Sequence, residues 1–431
     1  MKNIEKIDNT WYNHYVNTQL RNAEMKIFFE TQSSEVTGSS HLVTIIRDNK
    51  PLRILVDCGK FQGEAEKEKN RFFGFEPDKI DVVFVTHAHY DHIGRIPQLI
   101  KSGFKGIIIS NEVTRRRAQI SLGRSNNFVF SQWKHVEETF LYSFSREIKF
   151  AFFKNAHIAG ATALFLRVEN HNYSENYLFT GDYLEKSNFA QTWFPEWVYR
   201  LPLTIVAETT YGTGAKKEHG KFERELKEWM RSPSHTAVVP VFAMERGQVI
   251  LKKIGEMQKK RKISANIPIF IQGESLVDYT NQYLAEGLIP YQPNVIPVPT
   301  NVGIRTLPQY KIVVTTPGMG KDGASRTWIE HAKKNKNIML FKVGYAPETA
   351  PMGRLGQMNV KFMETNEFGS HCTGEEMIEF LSRFECIKNV ILVHGNMSTK
   401  KIMFEAIRER RIASKVWILE PGEFIWKDLN N

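Results

Sequence analysis

From residue 25 to residue 419 the chain alternates short apolar runs with amphipathic stretches, the pattern of an α/β protein. Runs at 25–29, 41–46, 52–56, 82–85, 106–109, 148–153, 163–168, 177–180 and 203–207 read as strands bounded by polar or glycine turns. Helices are predicted at 96–102, at the arginine-rich 112–122 and at 132–140. Beyond residue 212 the pattern changes. Phe222, Leu226, Trp229 and Met230 fall at helical spacing. Strand–helix units then repeat as 237–241 with 245–259 and 267–272 with 276–285, followed by strands at 311–315 and 337–343. Such an alternation predicts a parallel sheet with helical crossovers. The final stretch returns to the first style. It has a helix stripe of Met377, Leu381 and Phe384, a strand at 389–393, a stripe of Ile402, Met403, Ala406 and Ile407, and a closing strand at 415–419. Residues 1–24 are polar with Trp11, Tyr12 and Tyr15; they suit a short docked helix or a flexible arm, and no function attaches to them.

The chemistry collects where strands end. Thr86-His87-Ala88-His89-Tyr90-Asp91-His92 follows the 82–85 run. On extended chain, residues two apart point the same way, so His87 and His89 can grip one metal together. Asp91 and His92 come after the turn and can face a second site. A lone histidine is usually a core or surface residue, but three His and one Asp within six positions are a metal pattern. Imidazoles with carboxylates suit zinc, with manganese or iron as alternatives. Asp57, His157, Asp182 and Glu208 also end strand-like runs, and His371 and His394 sit at element ends. In layered α/β folds sites form at strand ends, so these point to one shared site. Asp57 reads as a residue that orients the metal-site histidines, with a plain turn role as the alternative.

Charge and cysteines narrow the setting. The chain has 431 residues, enough for two domains, and a formal net charge of +11, which favours a polyanion and first of all nucleic acid. A hydrophobic content of 42% excludes a disordered chain. Cys58, Cys372 and Cys386 show no C-x-x-C spacing, which fits a reduced, cytoplasmic setting. No apolar run is long enough to span a bilayer, so no membrane partner is expected.

Taken in order, these residues resemble the metallo-β-lactamase superfamily in its β-CASP branch of nucleic-acid-processing nucleases. That branch includes ribonuclease J and the pre-mRNA 3′-end cleavage endonuclease. The resemblance runs from Met25 onward. Glu35-Val36-Thr37-Gly38-Ser39 is similar to the branch's opening turn, Asp57 to motif 1, and His87-x-His89-x-Asp91-His92 to motif 2. His157 resembles motif 3, Asp182 motif 4, Glu208 motif A, His371 motif B and His394 motif C. Pro240-Val241-Phe242-Ala243 with Arg246-x-Gln248, and Pro317-Gly318-Met319, resemble the inserted domain. Two features depart: Cys372-Thr373-Gly374 stands where many relatives carry a small residue and then Asp or Ser, and residues 1–24 extend beyond the usual start.

The resemblance implies an αββα sandwich with an inserted parallel-sheet α/β β-CASP domain. The expected division is an N-terminal extension 1–24, a metallo-β-lactamase domain in two parts, 25–208 and 364–431, and a β-CASP domain 209–363, with the active site in the cleft between the domains. It further implies two Zn²⁺, with Mn²⁺ or Fe²⁺ as alternatives. One would be held by His87, His89 and His157, the other by Asp91, His92 and His394, and Asp182 would bridge. His371, Glu208, Asp91 and Asp182 become the catalytic groups: a hydroxide activated by two metals attacks phosphorus, His371 protonates the leaving oxygen, and Glu208 orients His371. Arg246, Ser325 and Arg326 become nucleic-acid contacts. The expected function is hydrolysis of RNA phosphodiesters in RNA processing or decay, by endonuclease or 5′-exonuclease cleavage. RNA is preferred over DNA because position 394 is His. The alternatives are a catalytically silent RNA-binding scaffold, a DNA nuclease of the branch and a small-molecule hydrolase. RNA is the expected partner, and a homodimer is left open.

Overall fold

The computed structural model describes residues 5–7, 25–47, 50–63, 67–145, 147–170, 173–214, 217–302 and 306–429. The chain divides into two compact units, Met1–Ala215 with Ser370–Asn431, and Lys216–Gly369. The sequence reading had put the inserted segment at 209–363.

The first unit is built on two sheets. One has eight strands in the order Glu5–Ile7, Phe424–Asp428, Met25–Thr31, His41–Arg47, Lys50–Val56, Val82–Phe84, Ile107–Ser110 and Trp133–His135. The other has seven: Lys415–Ile418, Cys386–Val393, Pro202–Glu208, Ser174–Phe179, Thr162–Glu169, Ile148–Lys154 and Tyr142–Ser143. Alternation along each strand sorts its side chains between two cores. Phe150, Phe152, Leu164, Leu166, Phe179, Val206 and Ile391 face inward, against Ile27, Phe29, Val43, Ile54 and Phe84 of the other sheet. Their neighbours Ala151, Phe153, Phe165, Leu178, Ile205 and Leu392 face outward, where Met377, Leu381, Met403 and Ile407 cover them from two helices. Those helices are Gly374–Leu381 and Met397–Glu409. This is the αββα layering, and each sheet is apolar on the face it buries.

The second unit has one wholly parallel six-stranded sheet in the order Val295–Val298, Ile269–Gln272, Lys311–Thr315, Thr236–Pro240, Ile338–Lys342 and Lys361–Glu364. Buried on both faces, its central strands read as continuous β-branched runs. Val239, Ile271, Val314 and Phe341 pack with helices Lys221–Trp229 and Arg246–Lys259 on one side. Val238, Phe270, Val313 and Leu340 pack with Trp328 and Ile329 of helix Gly323–Ala332 on the other.

Several expectations need correction. The predicted helix 132–140 is absent; Trp133–His135 is instead a strand parallel to Ile107–Ser110. Trp133 anchors it, buried with its indole N–H donated to Ser110 Oγ at 2.8 Å, while Lys134 and His135 face out. The chain does not close at 419: Phe424–Asp428 adds an antiparallel strand beside Met25–Thr31. From the N-terminal extension, Glu5–Ile7 is a strand paired with Phe424–Asp428; the helix-or-arm expectation for the rest of 1–24 lies outside the described residues. Among the described residues no helix is long and apolar enough to cross a membrane.

Candidate metal centre

Strand direction brings the site together. Ser174–Phe179, Pro202–Glu208 and Cys386–Val393 run parallel as neighbours, so Asp182, Glu208 and His394 leave the sheet at one edge. Ile148–Lys154, two antiparallel steps away, points the same way and delivers His157. In the facing sheet Lys50–Val56 lies parallel to Val82–Phe84, which places Asp57 beside the loop that starts at Thr86. Asp57 and His394 have positive φ, 61° and 49°, so each strand turns sharply as its functional residue leaves it.

Asp57 organises the histidine loop. Its carboxylate accepts the Thr86 N–H at 2.8 Å and the Thr86 hydroxyl at 2.8 Å, and lies 2.8 Å from His92 Nδ1. Thr86 Oγ1, having donated to Asp57, accepts from His87 Nδ1 at 3.1 Å. His157 Nδ1 donates to the Ser370 carbonyl at 2.7 Å. Each Nδ1 is thus committed, and each Nε2 is turned into the site.

There the ring nitrogens crowd one another. His89 Nδ1 lies 3.1 Å from His87 Nε2 and 3.0 Å from His157 Nε2. Two of these three atoms carry lone pairs only, so one proton at most serves the group, and such a cluster fits a cation at its centre. Asp182 stands between two such groups. Its Oδ2 lies 3.5 Å from His87 Nε2 and 3.4 Å from His157 Nε2; its Oδ1 lies 3.2 Å from His92 Nε2 and 3.2 Å from His394 Nε2. Asp91 Oδ2 lies 3.6 Å from His394 Nε2. His92 Nε2, Asp182 Oδ1 and His394 Nε2 are buried with no hydrogen-bond partner. Orphaned buried polar atoms are costly, and a bound ion would relieve all three. The groups His87–His89–His157–Asp182 and Asp91–His92–His394 can each hold a metal ion, and so can Asp182–Glu208–His371–His394.

Electrostatics divide the imidazoles. Burial pulls the His87 imidazole down to about 3 and His89 to about 4, and pulls His157 well below the ordinary range, so all three are neutral donors. Burial pulls His92 down too, but Asp182 and Asp57 outweigh it and hold it raised. Burial pushes the Asp91 and Asp182 carboxyls up, and the surrounding imidazoles reverse this and hold both low.

Beside the ligand cluster, His371 Nδ1 lies 2.9 Å from Glu208 Oε2 and 3.2 Å from Oε1. Burial lowers this imidazole, but the charges of Glu208 and Asp182 and the hydrogen bond win, raising it to about 9. Glu208 is buried and also accepts the Tyr183 N–H. His371 is held from behind, since Cys372 N–H donates to Tyr183 O at 2.7 Å and Thr373 is the cap of helix Gly374–Leu381. The departure at Cys372-Thr373-Gly374 is therefore occupied by a capping box between Thr373 and Glu376.

The sequence reading missed Asn155 and Thr210. Asn155 Nδ2 donates to Thr180 O at 2.8 Å and Asp182 O at 2.6 Å, while its Oδ1 accepts the His157 N–H at 3.0 Å, so it locks the His157 loop to the Asp182 loop. A polar residue two positions before a candidate ligand was the only available signal.

The proposed nucleic-acid contacts belong to the second unit. Ser325 is fully buried, and its hydroxyl donates to Pro317 O at 2.7 Å. Arg246 donates from Nη1 to Val343 O at 2.5 Å, and Arg326 lies 3.3 Å from Glu330.

Residues 36–235 match the family model of the metallo-beta-lactamase superfamily. Those residues are thus similar to that superfamily, a class that the layered sheets and the histidine–aspartate cluster also fit. The relatives it matches are consistent with the β-CASP RNA-processing branch. Ribonuclease TTHA0252 of Thermus thermophilus is 25% identical, over 84% of this chain and 91% of its own length. Endoribonuclease ysh1 of Schizosaccharomyces pombe is 22% identical over 89% of this chain, and the transcription termination factor FttA of Methanococcus maripaludis 27% over 80%. The chain spans 56% and 64% of the length of these two.

Proposed function

We propose that the protein is a zinc-dependent ribonuclease that hydrolyses RNA phosphodiester bonds. The observation that carries this reading is the division of Asp182, one oxygen toward His87 and His157, the other toward His92 and His394. The names of the relatives, ribonuclease and endoribonuclease, support RNA as the substrate. In this reading His87, His89 and His157 would hold one zinc and Asp91, His92 and His394 a second, with Asp182 available to both groups. Two cations in such a site lower the pKa of a water and neutralise charge on phosphoryl oxygens.

The chain's own groups supply the rest. Asp57 holds His92 by its Nδ1 and so aims Nε2 into the site. Glu208 holds His371 by Nδ1, which leaves His371 Nε2 to give a proton to the departing ribose oxygen. Arg246 and Arg326 add positive charge for phosphates in the second unit. Free thiols at Cys58, Cys372 and Cys386 support a cytoplasmic setting.

The test is to incubate zinc-loaded protein with labelled RNAs bearing a 5′-phosphate, a 5′-triphosphate or no free end. Cleavage of a circular RNA establishes endonuclease action. Failure to cut any RNA, with two zinc ions bound, would remove the reading.

A further inference from the structure

We infer that Thr210 is a positioning residue whose hydroxyl joins the metal-facing His394 to the His371–Glu208 pair. The proposal deepens the ribonuclease reading and rests on it for its rate consequences only. Thr210 Oγ1 lies 2.5 Å from Glu208 Oε2, 2.9 Å from His394 Nδ1, 3.3 Å from His371 Nδ1 and 3.3 Å from His394 O. These partners come from three separate stretches of chain.

A hydroxyl has one proton and two lone pairs. The short contact to a buried carboxylate claims the proton for Glu208. A lone pair then faces His394 Nδ1, which must carry hydrogen to make that 2.9 Å contact. This fixes the tautomer: His394 Nε2 keeps its lone pair, and it is the buried, unpartnered nitrogen 3.2 Å from Asp182 Oδ1. The opposite arrangement would aim the Thr210 proton at His394 Nδ1, strip Glu208 Oε2 of its closest donor and put hydrogen on Nε2. Glu208 thereby orients two histidines, His371 directly and His394 through Thr210. The neighbouring Thr209 shows the plain structural alternative, since its hydroxyl donates to Val393 O at 2.9 Å and touches no functional side chain.

The experiment compares Thr210→Val, which keeps the shape and loses the hydroxyl, with Thr210→Ser, which keeps the hydroxyl. Metal-free protein is titrated with Zn²⁺ against a chromophoric chelator. Thr210→Val should weaken one of two sites by about 10–100-fold and leave the other, the usual effect of losing a ligand's hydrogen-bond partner; Thr210→Ser should restore it to within about threefold. With labelled RNA, Thr210→Val should lower kcat and leave KM unchanged, and Thr210→Ser should recover kcat. Parent-like zinc affinity in Thr210→Val would overturn the proposal, and so would a Thr210→Ser variant as weak as Thr210→Val. If Thr210→Val does not fold, Thr210→Ala takes its place under the same criteria. If the parent cuts no RNA, the ribonuclease reading fails, while the zinc titration still decides the role of Thr210.

Discussion

His371 Nδ1 lies 2.9 Å from Glu208 Oε2, whereas His87 and His157, proposed above as ligands, rest Nδ1 on a threonine and a carbonyl; of the proposed ligands His92 shares the carboxylate contact, with Asp57. Held by a carboxylate and set beside the histidines that face Asp182, His371 is suited to proton transfer. His371→Ala should keep both zinc ions and bind RNA nearly as well, yet lose on the order of 10²–10⁴ in rate, the usual worth of a positioned general acid. Elemental analysis beside single-turnover cleavage checks this. A lost metal would make His371 a ligand, which its place in the group with Asp182, Glu208 and His394 allows geometrically. Glu208→Gln should reach further than a weakened His371, because Thr210 also donates to Glu208.

Asp182 predicts a different signature. Because each of its oxygens faces a different histidine set, Asp182→Ala should deplete both sites together. His394→Ala should deplete only the one it shares with Asp91 and His92. Metal content measured after equal dialysis should fall from about two ions toward none in the first variant and toward one in the second. Equal losses in both variants would sink the division of labour.

Glu30 provides a pH test away from the histidine–aspartate cluster. It sits in strand Met25–Thr31, and burial pushes its carboxyl up from 4.5 to about 7, with the Gln32 hydrogen bond and Arg53 offsetting part of the rise. The folded chain therefore binds a proton that the unfolded chain releases. This contribution is fully present below about pH 4.5 and is lost as pH rises to about 7. The loss is on the order of 3 kcal/mol. Glu30→Gln should remove this part of the slope when urea unfolding is followed from pH 4.5 to 7.5. An unchanged slope would mean that Glu30 is already charged in the fold.

The strand ends were legible because a strand reports itself locally. Asp57, His87, His157, Asp182, Glu208 and His394 all follow apolar runs, and parallel or doubly antiparallel neighbours carry those ends to one edge. Helix 112–122 was also readable, since Asn111 accepts the Thr114 N–H as its cap. Less was visible where tertiary pairing decides. Trp133–His135 is a three-residue edge strand anchored by one indole, too short for any period. Phe424–Asp428 owes its place to pairing with residues almost four hundred positions earlier. Thr210 and Asn155 act through hydroxyl and amide contacts with distant loops, and nothing in their neighbours reveals such partners. The burial of Ser325 was hidden for the opposite reason: a loop with Gly-Met-Gly looks open, yet the hydroxyl is buried against Pro317.

The excess of positive charge predicts how RNA binds. A net charge of +11 used on phosphates releases counterions, so affinity should fall steeply and log-linearly with salt. Arg246→Ala and Arg326→Ala should each shallow that slope by about one phosphate contact without changing metal content. Fluorescence anisotropy across a salt series measures it. A flat salt dependence would remove RNA as the partner.

Gly59 tests the geometry of one metal site through the backbone alone. A Cβ at Gly59 would stand 1.5 Å from Asp91 O and 2.3 Å from its carbonyl carbon, so an alanine cannot be accommodated without moving the chain. The backbone that must give way is tied on several sides. Asp91 O accepts from Ser39 N at 2.9 Å, His92 O from Cys58 N at 2.7 Å, and Gly59 N donates to Ser39 O at 2.8 Å. Gly59→Ala should therefore push Asp91 and His92 out of register, while His87 and His157, held by Thr86, Asn155 and Ser370, stay in place. Zinc content should drop toward one ion per chain, and unfolding should come earlier by about 1–3 kcal/mol, the usual range for overpacking. Gly356→Ala is the matched control, because its nearest neighbour would be Phe362 at 4.0 Å. Two retained zinc ions in Gly59→Ala would mean that Asp91 and His92 are not the ligands of a separate site.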